Sequence, residues 1–432
     1  MTYDITVLNK PKLKPGLTYT ILQNEYFKNR VIIKASGTKE RPITIQATPN
    51  TIISDKTTIN IKGSWIIFQG FTFRNLTSTK PIRLEGNHIR FTKNIIEEHM
   101  TDIESLITNT GQFNRIDNNT FRTMSFNGNC IQVGIDKKHP SFCIIDNNSF
   151  SDRFHKDDSK ETEIINLGDK KSSLYQGKNI IYNNKFSSCQ NIINVECCSN
   201  IISNNQLSRC EGLITLRRGK NNQVSHNYIN SGDVEGGGIS IYDTDHILMN
   251  NTFEQLTSED PNKSPISIMC GTDKVSIQDN DFINCFNCFA IGVGTKVKPK
   301  NLTITENRII KCNYLFNKKT KGYNPENCSI TNNPLFNRDQ RLRLKTGLNP
   351  DNIDIEKFYK HLNLNDVYQN PVPSIRLPPP QQLTRDPVRD DLYKNKLDRL
   401  KKLLKLKQDL AKEISNMYKK IKNLQDEINK LI

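Results

Sequence analysis

A chain of 432 residues that is 35% hydrophobic can bury one large core, and it has no run of about 18 apolar residues, so no helical membrane span is expected. Its start, MTYDITVLNKPKLKPG, has no basic patch followed by an apolar run and does not read as a classical signal peptide. The net charge of +16 points to anionic partners, whether nucleic acid, acidic glycan or an anionic membrane surface, without choosing among them.

The 11 cysteines belong to a chain too large to need covalent staples, and several lie in apolar strands. They are expected to be reduced, buried thiols of a protein made in a reducing cytoplasm and incorporated, in a structural role, into a particle. Cys285 and Cys288 form a CxxC with no second pair, so no metal is assigned to them.

In chain order, residues 1–60 carry LKPGLTYTIL and VIIKASGTKERPITIQA, alternating runs broken by turn residues, which predict short strands. A repeat follows, in which an alternating run leads into Asn, any residue, then a large apolar residue. It appears as Asn94-Ile95-Ile96, Asn119-Thr120-Phe121, Asn148-Ser149-Phe150, Asn184-Lys185-Phe186 and Asn205-Gln206-Leu207, and continues to Asn333-Pro334-Leu335. The spacing is mostly in the twenties, and the units are strand-like. Such units gain a core only by stacking on one another, which predicts a parallel β-helix domain over 1–337 with an N-terminal cap.

The repeated Asn is expected to be structural. It tolerates the left-handed corner between strands, and its amide can bond to the copies above and below. Phe73, Phe121, Phe150, Phe186, Phe253 and Phe282 are expected to stack in the core. Around Asn191 to Asn222 the period is clearest: Ile192-Ile193-Asn194-Val195-Glu196 recurs as Ile214-Thr215-Leu216-Arg217, Ile239-Ser240-Ile241-Tyr242 and Ile266-Ser267-Ile268-Met269. Apolar positions face in, so the others form two outward columns, Asn194, Thr215, Ser240, Ser267 and Glu196, Arg217, Tyr242, Met269. Loops after Asp169 and Asp233 are placed to cover this face.

Residues 338–389 contain VPSIRLPPPQQLTRDP and predict a Pro-rich linker. From 390 to 432, Leu400, Leu403, Leu410, Ile414, Met417, Ile421, Leu424, Ile428 and Leu431 follow a 3-4 spacing interrupted by Lys407. This predicts an α-helical coiled coil joining copies into a homo-oligomer, dimer or trimer, or folding back as a cap. The fold class expected is thus all-β, a parallel β-helix followed by a C-terminal coiled coil.

SGTKERPITIQA, GSWIIFQGFTF, NIINVECCSNIISNNQLSRCEGLITLRRG and EGGGISIYDTDHILMNNTFEQL together resemble polysaccharide lyase family six, which contains chondroitinase B and the alginate lyases. The resemblance covers about residues 10–335 and implies a right-handed, pectin-lyase-like β-helix acting on uronate-containing polysaccharides by β-elimination. It implies a calcium ion to neutralise the uronate carboxylate, a lysine base and an arginine acid. The arginine matches Arg217 and its motif glycine Gly219; Arg218 stands where the family has histidine, and Glu196 where it has lysine. Cys189-Gln190-Asn191 occupies the calcium-binding segment without a carboxylate.

Two readings of this region stay open. Glu196 and Arg217 can pair across adjacent coils as a structural ion pair. Alternatively, Arg217 and Arg218 neutralise the carboxylate while Glu196 or Tyr242 acts as base. Asn166, Asn194, Thr215, Ser240, Arg218 and Lys170 are candidate substrate contacts. Lys171 neighbours Lys170 in a loop, and His226 and His246 read as turn residues. Walker loops and HExxH motifs are absent.

The function expected is a lyase-derived, catalytically inactive protein that binds an acidic or neutral glycan or serves as a structural or attachment part of a fibre or virion. The alternative is an active lyase or glycosidase with a substituted site. Nucleic-acid binding ranks third, because the strands lack interleaved aromatic platforms.

Overall fold

The structure is a computed structural model describing residues 2–10, 13–134, 141–154, 163–294, 297–320, 328–331, 333 and 335–336. They lie in the first of two units, Met1–Pro373. The chain winds as a right-handed parallel solenoid whose strands form three sheets of 14, 12 and 13 strands, every pairing parallel. One coil runs from Ile180–Tyr182 to Lys185–Cys189 and Ile193–Val195, and the next begins at Ile201–Ser203. We call the sheets containing these three strands the first, second and third.

Register is kept by identical interior positions. In the second sheet Phe150, Phe186, Leu207, Ile229, Phe253 and Phe282 stand one above another. Phe121 stacks on Phe150 at 4.5 Å and Phe150 on Phe186 at 4.9 Å between ring centroids. All six predicted phenylalanines are buried, each stabilising the fold by about 1.5–3 kcal/mol through area removed from water. At the N-terminal end, the 3-10 helix Ile5–Asn9 buries Ile5 and Leu8 and closes the core.

The corner between first and second sheets carries the predicted Asn ladder, with one difference. The left-handed residue is the one before each ladder Asn: Lys93 at φ 55°, Asn204 at 57° and His226 at 56°. The ladder Asn itself points inward. The backbone N–H and Nδ2 of Asn184 both donate to Asn205 Oδ1 at 3.0 Å, and Asn205 repeats this with Asn227. A second ladder, not foreseen, runs along the corner from third to first sheet through Asn179, Asn200 and Asn222. It ends on His246, whose Nδ1 accepts from the Asn222 N–H at 3.3 Å.

The fold class needs one correction. Among the described residues the longest helical element is the five-residue 3-10 turn Ile5–Asn9, so they form a parallel β-solenoid with no coiled coil among them. The expected coiled coil of 390–432 and linker of 338–389 lie outside the described residues, and oligomerisation through that helix has no support. All 11 cysteines are free, eight of them buried. No described helix is long and apolar enough to cross a membrane.

Candidate functional site

The third sheet alternates buried Ile193, Val195, Ile214, Leu216, Ile239, Ile241, Ile266 and Ile268 with outward residues. Thr215, Arg217, Ser240, Tyr242 and Met269 project from it into a cleft of about 210 Å³, walled also by Glu163, Asn191, Leu213 and Asn262. Both predicted columns therefore meet there. The Arg217 guanidinium lies 5.9 Å from the centre of the Tyr242 ring, within reach of a cation–π contact.

Gly219 explains how Arg217 is held. Its φ of +87° is left-handed, and a Cβ there would sit 2.4 Å from the Cys197 backbone carbonyl. Its N–H donates to Asp243 Oδ2 at 3.0 Å, tying the end of this coil to the next, just after Tyr242.

The expected Glu196–Arg217 pair is replaced by another. Arg218 Nη1 donates to Glu196 Oε1 at 3.0 Å, and Glu196 is 7% exposed and does not line the cleft. The strand ends at Leu216, and the N–H groups of Arg217 and Arg218 both donate to the Val195 carbonyl, so the alternation lapses here and Arg218, not Arg217, is the residue bonded to Glu196.

Above the cleft, amides form a chain. Asn194 Nδ2 donates to Asn166 Oδ1 at 3.0 Å, Asn166 Nδ2 to Gln132 Oε1 at 2.9 Å, and Gln132 Nε2 to the Gly168 carbonyl at 2.9 Å. Asn194 Oδ1 and Ser240 Oγ, flanking Thr215 on either side, are buried and have no hydrogen-bond partner among the described residues. Such atoms call for a ligand or water donor.

Other candidates fall away from the cleft. Lys170 and Lys171 are exposed in the turn after Gly168. His226 occupies a left-handed corner, and His246 is a ladder residue whose burial pushes its pKa down to about 4. The loop over the outer face is neither of the two expected; it is the one between Thr252–Glu254 and Ile266–Met269, which supplies Asn262. A signal for it existed: the ladder interval lengthens from 22 residues, Asn205 to Asn227, to 29, Asn251 to Asn280. Glu163 lies in a still longer interval, the 36 residues from Asn148 to Asn184, and Asn191 in the segment matched to the calcium site, whereas Leu213 carried no signal.

The described residues thus form a three-sheet parallel solenoid with a polar cleft on one outer face. Residues 9–399 match the chondroitinase B family, and the chain belongs to that family. Its fold is similar to that of a PL6 family alginate lyase, with a TM-score of 0.67 and 22% identity over 75% of this chain and 49% of that one. It is also similar to a mannuronic acid specific polysaccharide family 6 lyase from human gut microbiota, with a TM-score of 0.66 and 21% identity over 76% and 79% of the two chains. A PL6 family polysaccharide lyase from Pseudopedobacter saltans gives a TM-score of 0.55 and 15% identity over 85% and 94%. The chain spans about half the length of the first of these, and at such identities the likeness is one of fold. No curated protein matches the chain.

Proposed function

We propose that this protein binds a uronate-containing polysaccharide in the cleft of Thr215, Arg217, Ser240 and Tyr242, and that it does not cleave it. The observation that carries this reading is the state of Glu196. Elimination needs a base beside the sugar proton, and the position matching the family lysine holds a carboxylate that is buried, bonded to Arg218 and absent from the cleft wall. Arg218 thereby serves the fold, not the substrate. Arg217 is the cation that pairs with the uronate carboxylate, and Tyr242, 42% exposed, offers its ring to the sugar face. Asn166 and Asn194 extend the polar floor; Lys170 stands outside it.

The residues matching the calcium segment do not fit that ion. Cys189 is a buried thiol facing the core, and Gln190 donates to Glu211 Oε2 at 3.0 Å. Calcium takes hard oxygen ligands, mostly carboxylates, and among the described residues no group of three or more His, Cys, Asp or Glu is placed to hold a metal. No step is therefore routed through calcium. The structural or attachment role expected in a fibre or virion rested on joining a solenoid to a coiled coil and is not carried further.

A second reading has one observation in its favour: Arg217 and Tyr242 adjoin in the same cleft. In it, Arg217 neutralises the carboxylate while the Tyr242 oxygen takes the neighbouring proton and returns it to the leaving oxygen as the C–O bond breaks, leaving a carbon–carbon double bond in the uronate. The test is retention and cleavage of alginate, chondroitin, dermatan and pectate, with unsaturated products read by ultraviolet absorbance. Retention without new absorbance, lost in Arg217→Ala, is expected. Absorbance that disappears in Tyr242→Phe would replace the binding reading with an active lyase.

A further inference from the structure

The outer column Thr215, Ser240, Ser267, Ala290 passes over four successive coils. With coils about 4.8 Å apart, an open face would give a floor roughly 14 Å long. It is not open. Ser267 is fully buried, its Oγ donates to the Pro261 carbonyl at 2.7 Å, and Met269, Ala290 and Val293 form a small apolar cluster of their own on this side.

The covering loop is built rather than draped. Asp260 Oδ1 accepts from the Asn262 N–H at 2.9 Å and from Asn262 Nδ2 at 3.0 Å. Asn317, itself 1% exposed, donates through Nδ2 to the Glu259 carbonyl at 3.1 Å, and Lys263 Nζ lies 3.8 Å from Glu235. With its Nδ2 held by Asp260, the Asn262 amide keeps Oδ1 free to accept at the cleft wall. Ser240 stands in the same lining, 1% exposed, and its Oγ has no partner among the described residues. A sugar hydroxyl, which both donates and accepts, has the chemistry to bond to each. The cleft, at about 210 Å³, is below the usual ~300–1,000 Å³ of ligand sites, a size for one sugar unit.

We propose that the 255–265 loop is the specificity element of the cleft: it stops the glycan at the coil of Ser240, where Asn262 and Ser240 hold a hydroxyl of the last sugar, so the site takes the end of an acidic glycan chain. This rests on the reading of the cleft as a uronate-binding site. An interior segment of a long polymer would have to continue over Ser267 and Ala290, and that path is filled by protein.

The test is calorimetric titration of the full chain with uronate oligosaccharides from about two to about eight units and with the parent polymer. Affinity is expected to stop rising after about three units, because the open part of the floor runs from Asn166 through Asn194 and Thr215 to Ser240, three coil steps of about 4.8 Å each. Capacity on polymer is expected to follow the number of chain ends, increasing when the same mass is partly hydrolysed. Asn262→Ala and Ser240→Ala each weaken binding of a short oligosaccharide about fivefold. Replacing residues 258–263 by a short Gly-Ser link, with circular dichroism checking the fold, makes affinity rise with length. Affinity that climbs steadily to the longest oligosaccharide in the unaltered protein, or capacity that follows polymer mass, overturns the proposal while leaving the cleft as a glycan site. Failure to bind any uronate glycan, of any length, overturns the cleft reading and this inference with it.

Discussion

Asparagine does two different jobs in this molecule, and the contrast between the corner ladder and the outer column shows how to tell them apart. In the ladder, Asn205 accepts two bonds from Asn184 and donates to Asn227 Oδ1 and to the carbonyls of Ile181 and Ser203. Its amide is fully used by neighbouring coils. In the outer column, Asn194 is as buried as a ladder residue, at 4% exposure, yet its Oδ1 has no partner among the described residues, and Ser240 two coils on shares this. Complete satisfaction marks a residue that holds the stack. An unmet polar atom beside a cleft marks one that awaits something else.

Breaking the ladder is expected to have the largest effect. Asn205→Ala strands the Asn184 N–H inside the core and takes a donor from the carbonyls of Ile181 and Ser203, which should cost about 4 kcal/mol, read by urea unfolding. A loss under about 1 kcal/mol would mean water replaces the amide and the ladder is not what sets register.

Acid comes next. Burial pushes the pKa values of His99 and His246 down from 6.5 to about 4, with Arg153 adding to the effect at His99. The unfolded chain therefore takes up a proton below about 6.5 that the native state refuses until about 4. Their contribution is intact above that window, falls as pH drops through it and is constant below, with about 3 kcal/mol at stake per histidine. His246→Asn, which restores the residue type of Asn222 and Asn200, should remove its share of the slope in pH-dependent melting.

The outer column should respond least in stability and most in binding. Arg217→Ala is expected to change stability far less than Asn205→Ala does, while abolishing glycan retention. Ser240→Ala removes a hydroxyl with no partner to lose, so its effect on unfolding should stay within about 0.5 kcal/mol. Substantial destabilisation by Ser240→Ala would show that the hydroxyl is satisfied in solution and would erase the contrast with Asn205.

Much of this was legible in the sequence. A side-chain period of two and a recurring Asn with a large apolar residue behind it define strands, coils and core columns, because each coil must repeat the chemistry of its neighbours to bury anything. The same alternation placed Thr215, Arg217, Ser240 and Tyr242 on one outer face. The second ladder was hidden because its run of Asn114, Asn179, Asn200 and Asn222 is interrupted by Cys143 and ends at His246.

What only the tertiary structure decided is which neighbour each outward group meets. Alternation puts Arg217 in the column of Glu196, yet Arg218 is the one bonded to it, because the strand ends at Leu216 and the chain then turns at Gly219 against Cys197. Likewise, the longer interval before Asn280 announces an insertion, and only folding shows Pro261 capping Ser267 and Asn262 reaching the cleft. Periodicity is a local property of the chain and fixes the face a residue occupies. Contacts across coils depend on loop paths and on which polar atoms remain after every stacked neighbour has taken its share, and no short window of sequence contains that information.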